Sequence, residues 1–136
     1  MASTERAFTP EGATSAQQHL EEFVAANDSI KLAVLTSGDG MEIAAHPKRQ
    51  VGVTQRIAAM SSSLQALAAA LAKESGLKSN RSVIIESDGG AILVLGVASP
   101  GLSASLSVIA SNRASLGHLL WAARSCCAAL EKSLRR

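Results

Sequence analysis

Residues 81 to 110 hold three apolar runs joined by turns too short for anything but a reversal of direction. The runs are RSVIIES at 81–87, AILVLGVA at 91–98 and LSASLSVIA at 102–110. Between them stand Asp88-Gly89-Gly90 and Ser99-Pro100-Gly101. A parallel crossover needs a dozen or more residues, so links this short dictate an antiparallel meander. The last run alternates strictly, placing Leu102, Ala104, Leu106 and Val108 on one side of a strand.

A second pair of strands is read at IKLAVLTS, 30 to 37, and MEIAAH, 41 to 46, with Pro47 ending the latter. Ser37-Gly38-Asp39-Gly40 lies between them and raises the question of a phosphate cradle. Such a cradle needs a strand, a glycine-rich turn and a helix N-terminus aimed at the phosphate. Here a strand follows the turn, and neither the dinucleotide glycine spacing nor a Gly-Lys-Ser/Thr run is present. Asp-Gly between apolar runs is instead the signal of a hairpin, and Gly89-Gly90 fails the phosphate test in the same way.

Three helices complete the pattern. The first is predicted from Ser15, whose spacing to Gln18 fits a capping box, through Leu20, Phe23 and Val24 to a stop at Asn27-Asp28. The second spans about 51 to 76 and carries Val53, Ile57, Met60, Leu64, Leu67 and Leu71 in one continuous stripe, ended by Gly76. Its flank is made of small residues, including Ala58, Ala59, Ser61, Ser62, Ala66, Ala69 and Ala70. A solvated flank normally carries Glu, Lys and Arg, but here charge is confined to Arg56, Lys73 and Glu74. Two readings are open: alanine is simply the best helix former, or a second helix lies against the small face. The third helix, about 112 to 134, gathers Leu116, Leu120, Ala123, Cys127, Leu130 and Leu134 on one side, with Trp121 beside it.

The order α-β-β-α-β-β-β-α implies an α/β (α+β) fold with a five-stranded antiparallel sheet and helices upon it. With 136 residues and 47% apolar content, one domain is expected over 14–136, after a flexible tail at 1–13. The only aromatics are Phe8, Phe23 and Trp121, so stacking platforms for single-stranded nucleic acid are lacking. A net charge of +2 with scattered basic residues argues against nucleic acid and anionic membranes. The N-terminal residues have no apolar stretch like a signal peptide's, and no run approaches a membrane span, so the cytoplasm is expected.

Chemistry is sparse. His19, His46 and His118 fall on separate elements without a carboxylate or cysteine at ligand spacing. Cys126 and Cys127 are adjacent and read as small buried hydrophobes, not as a disulfide or metal pair. Ser75-Gly-Leu-Lys78 matches a Ser-x-x-Lys pattern but straddles a helix end, where the two groups do not share a turn. Glu21, Glu22, Glu42, Glu74, Glu86, Asp88 and Glu131 form no paired motif. No catalytic residue, cofactor or metal is expected. The positive signal is association: Val83 to Ile85 are apolar, strongly β-forming and free of proline, a hazard at a sheet edge unless a partner covers them. A two-fold homodimer would cover that strand and the small-residue helix face together.

The hairpin AVLTSGDGMEIAA, the helix VTQRIAAMSSSLQALAAALAKESGL, the run SVIIESDGGAILVLGVASPGLSASLSVIA and the stretch SNRASLGHLLWAA together resemble the Roadblock/dynein light-chain family. That family includes bacterial members that regulate Ras-like GTPases. The resemblance covers about 14 to 134, and its most specific part is Ser115, Leu116 and Gly117 at the start of the last helix. It implies a Roadblock/profilin-like sandwich that dimerises by joining two sheets through residues 82 to 86. The two long helices, 53 to 75, would lie antiparallel on one side and offer a platform to the switch regions of a small GTPase. On that reading the dimer contact is Ser82, Val83, Ile84, Ile85 and Glu86 with Ala59, Ser62, Ala66, Ala69 and Ala70. The partner-facing platform is Gln55, Arg56, Ala58, Ser61, Gln65 and Lys73. The family's activators are not known for a simple arginine finger, so Arg56 is not given that role. The chain departs from the pattern in the high Ala/Ser content and low charge of its long helix, which argues against docking through charge contacts. A dimerisation module without a GTPase partner is the alternative. An enzyme or small-ligand sensor would instead require a polar pocket with clustered acids or histidines.

Overall fold

The computed structural model describes residues 10–48, 52–99 and 102–134. Its elements run α1 (Pro10–Ala25), β1 (Ile30–Ser37), β2 (Glu42–His46), α2 (Val53–Glu74), β3 (Ser82–Ser87), β4 (Gly90–Ser99), β5 (Leu102–Ser111) and α3 (Leu116–Leu134). The order is the one read from the sequence. The five strands form one antiparallel sheet in the order β2-β1-β5-β4-β3. The hairpin and the meander therefore meet where β1 pairs with β5.

Helices α1 and α3 cover one face. Leu20 and Phe23 of α1, with Leu119, Cys127 and Leu130 of α3, pack there on Leu35, Leu93, Leu95, Leu106 and Val108. Ser15 near the start of α1 donates to Ser133 near the end of α3, Oγ to Oγ at 2.9 Å, so the two helices run antiparallel. Helix α2 covers the other face, where Leu32, Val34, Ala45 and Ala58 form a smaller cluster with Ile57 and Ile109 beside it. Alternation along the strands feeds both layers, since neighbouring side chains point to opposite sides.

Three boundaries differ from the sequence reading. Helix α1 begins at Pro10, not Ser15. Proline is tolerated at the first helical position because the N–H it lacks would have no intrahelical acceptor there, and Ser15 serves the contact with α3. Of the tail expected at residues 1–13, residues 10–13 belong to α1 instead, and residues 1–9 lie outside the described residues, as does Pro100-Gly101. Helix α2 starts at Val53, and α3 starts at Leu116, where Ser115 Oγ accepts from the His118 backbone N–H at 3.2 Å. The 37–41 connection is a hairpin turn: Ser37 N–H donates to the Met41 carbonyl at 2.8 Å, and Gly40 holds φ 91°. That left-handed backbone suits glycine.

Candidate functional site: the outward face of the long helix and the open sheet edge

Helix α2 is the element whose sequence and placement disagree most with the ordinary rule. The rule puts the apolar stripe of an amphipathic helix against the core. Here the residues buried on the sheet are Thr54, Ala58 and Ser61. Met60, Leu67 and Leu71 are instead 64%, 69% and 69% exposed. Ala58 and Ser61, expected on a partner-facing platform, are 0% and 6% exposed and meet the sheet of their own chain. The correction has a simple cause. The sheet beneath α2 is close and partly polar, and small or hydroxyl side chains fit it. Ser107 Oγ of β5 donates to Ser61 Oγ at 2.7 Å, and Thr54 Oγ1 donates to the Glu42 carboxylate of β2.

All buried residues of α2 precede Gln65. Beyond it the helix stands off the sheet over a concavity of about 450 Å³, lined by Gln65, Ala66, Ala69, Lys78 and Asn80 among others. Gln65, also placed on the platform by the sequence, is half-buried, and its Oε1 accepts from Asn80 Nδ2 at 2.6 Å. Ser62 is half-buried and donates to the Gly38 carbonyl at 3.2 Å. Ala59, Ala66, Ala69 and Ala70 are exposed, as are Gln55, Arg56 and Lys73.

The two sheet edges differ. On β2, Gln17 of α1 donates to the Ala45 carbonyl at 2.8 Å and accepts from the Ala45 N–H at 3.3 Å, so a side chain occupies that backbone. On β3, Ser82 to Ser87 pair with β4 on one side only. Val83 and Ile85 lie opposite Val94 and Ile92, which pair in turn with Ser107 and Ile109. Partners in register share a face, so Val83 and Ile85 lie on the α2 side of the sheet. Ile84 lies on the other side. Ile84 and Ile85 are both exposed large apolar residues, and Glu86 is exposed too. Glu86 is the one charge on the strand, and the apolar run Val83–Ile85, free of proline, leaves an edge that invites strand pairing.

The sequence reading named the β3 residues as a contact, and named Met60, Leu64, Leu67 and Leu71 as an apolar stripe without placing them in that contact. Among the described residues no group of three or more His, Cys, Asp or Glu is placed to hold a metal ion, and no helix is long and apolar enough to cross a membrane.

The Roadblock/LC7 domain family matches residues 16–109. The chain belongs to that family. Its fold is similar to MglB of Myxococcus xanthus, at 22% identity, 94% of this chain, 96% of that one and a TM-score of 0.82. A Roadblock/LC7 domain from Streptomyces avermitilis matches at 21% identity, with 88% and 98% of the two chains covered and a TM-score of 0.80. Profilin IA of Acanthamoeba castellanii shares the fold more loosely, at 13% identity, 87% and 98% coverage and a TM-score of 0.64. None of the curated proteins matches the chain by sequence comparison. The Roadblock architecture accounts for a sheet carrying two helices on one face and one long helix on the other.

Proposed function

We propose that this chain is a non-catalytic, cytoplasmic homodimer that binds a Ras-like small GTPase as a regulator, with stimulation of GTP hydrolysis included in that role. The observation that carries the dimer is the outward apolar stripe Met60, Leu67 and Leu71 on the helix that covers the sheet face shared by Val83 and Ile85 of the unpaired edge strand β3. Burying several large apolar side chains at about 1.5–3 kcal/mol each makes association favourable. In the dimer two β3 strands pair edge to edge through Ser82 to Glu86, and two α2 helices pack through their stripes. The contact thus centres on the leucines, with Ala66 and Ala70 on its outer flank. Arg56, Gln55 and Lys73 remain at the surface of the paired helices and form the platform. The GTPase reading rests on family membership and on the resemblance drawn from the sequence.

The low charge of α2 favours a second reading, a dimerisation module without a GTPase partner. One experiment separates them. The purified chain is sized by sedimentation, then used as bait in lysate loaded with GTP or GDP. A dimer that retains a small GTPase in one nucleotide state supports the first reading. A dimer with no nucleotide-dependent partner supports the second, and a monomer at high concentration rejects both.

A further inference from the structure

The face of the sheet away from α2 carries an exposed feature of its own. Trp121 of α3 is 66% exposed and stacks on His118, with ring centroids 6.1 Å apart and planes at 29°. Beside it a groove of about 440 Å³ runs between α1 and α3, floored by Phe23, Ala26, Ala122 and Cys126. A knob and a hole thus share one surface. The exposed charges divide by helix: Glu11, Glu21 and Glu22 on α1, Arg124 and Lys132 on α3. Because the helices run antiparallel, Glu22 lines the groove opposite the His118–Ala129 stretch of α3, the stretch that carries Arg124.

We propose that this α1/α3 face is a second self-association surface, whose occupant is another copy of the same chain. A two-fold axis lying in the contact plane along the helices sets α1 of each copy against α3 of the other. That operation brings acid onto base in both halves of the contact and carries each Trp121 towards the partner's groove. The small residues Ala25 and Ala128 on the outer surfaces allow close approach. The shorter helix has 16 residues, and at 1.5 Å per residue the face is about 24 Å long. That places the contact at the low end of stable interfaces, so it forms with concentration and is not permanent.

The test uses Trp121 as its own reporter, since the chain holds one Trp and no Tyr. Mass by sedimentation and tryptophan emission are followed together from low to high concentration. The expected result is a rise in mass with a shift of emission to shorter wavelength and loss of acrylamide quenching at the same midpoint. Glu21→Lys with Glu22→Lys should weaken it by ~10-fold or more, as like charges then face each other. Adding Arg124→Glu should restore it. Leu67→Glu with Leu71→Glu should limit the mass to a monomer that rises no further than a dimer yet keep the emission transition, which separates this surface from the α2/β3 dimer. Constant emission across the range, or Glu21→Lys/Glu22→Lys protein that associates like the original, overturns the proposal and leaves the face to a different chain.

Discussion

Ser107 and Ser61 show how much depends on single hydroxyls beneath α2. Both are buried, and each is the other's side-chain partner. Removing one leaves a buried polar group unsatisfied, so Ser107→Ala should cost about 1–3 kcal/mol, while the double change to Ala costs less than the sum of the two. Urea midpoints of the four proteins in that cycle measure it. Thr36 Oγ1 is fully buried without a hydrogen-bond partner among the described residues. Thr36→Val should therefore raise stability by about 1 kcal/mol, read by the same midpoints. Burial pushes the Cys126 thiol up to about 12, and burial with the neighbouring Cys126 does the same to Cys127. Both should resist iodoacetamide in the native state and react on unfolding. Because the folded thiols hold their protons more tightly than unfolded ones, the stability they contribute is complete below pH 9 and lost between 9 and 12. The cysteines were legible in the sequence as apolar fillers. The serine seam was not, because alternation in β5 marks Ser105 and Ser107 as one face without saying that a helix covers it.

Helix α2 was legible as a helix and illegible in its orientation. A 3.6-residue period reports that one side is apolar; it does not name the neighbour that side meets. The decisive datum is long-range: which side chains fit the narrow, part-polar space above β1 and β5. Only Thr54, Ala58 and Ser61 do. Two substitutions on this one helix should thus behave oppositely. Ala58→Arg forces a charge into a fully buried position and should cost about 3 kcal/mol or more, visible as loss of folded protein by circular dichroism. Leu67→Glu changes an exposed residue and should leave the fold intact while dissociating the dimer, visible in sedimentation. If Leu67→Glu remains dimeric, the stripe is not the contact. The β3 strand, by contrast, was readable in advance, because an apolar run at an edge is a local property of sequence and topology together.

At the scale of the molecule, the dimer should sediment near twice the protomer mass of 14.0 kDa and show little dependence on salt, since its contact is apolar. The family could be read from order and spacing because short links fix strand direction and the number of strands. The pairing of the two halves of the sheet could not be read from local pattern. Residues 30–37 meet residues 104–110, so the first strand finds its inner neighbour only in the last. This gives the chain a late closing step. A β1–β2 hairpin emerging from a ribosome has no sheet to join until the meander is almost fully synthesised, and long-range pairing of this kind slows folding. During that interval the inner edge of β1 stays open, with its backbone groups free to pair with another strand.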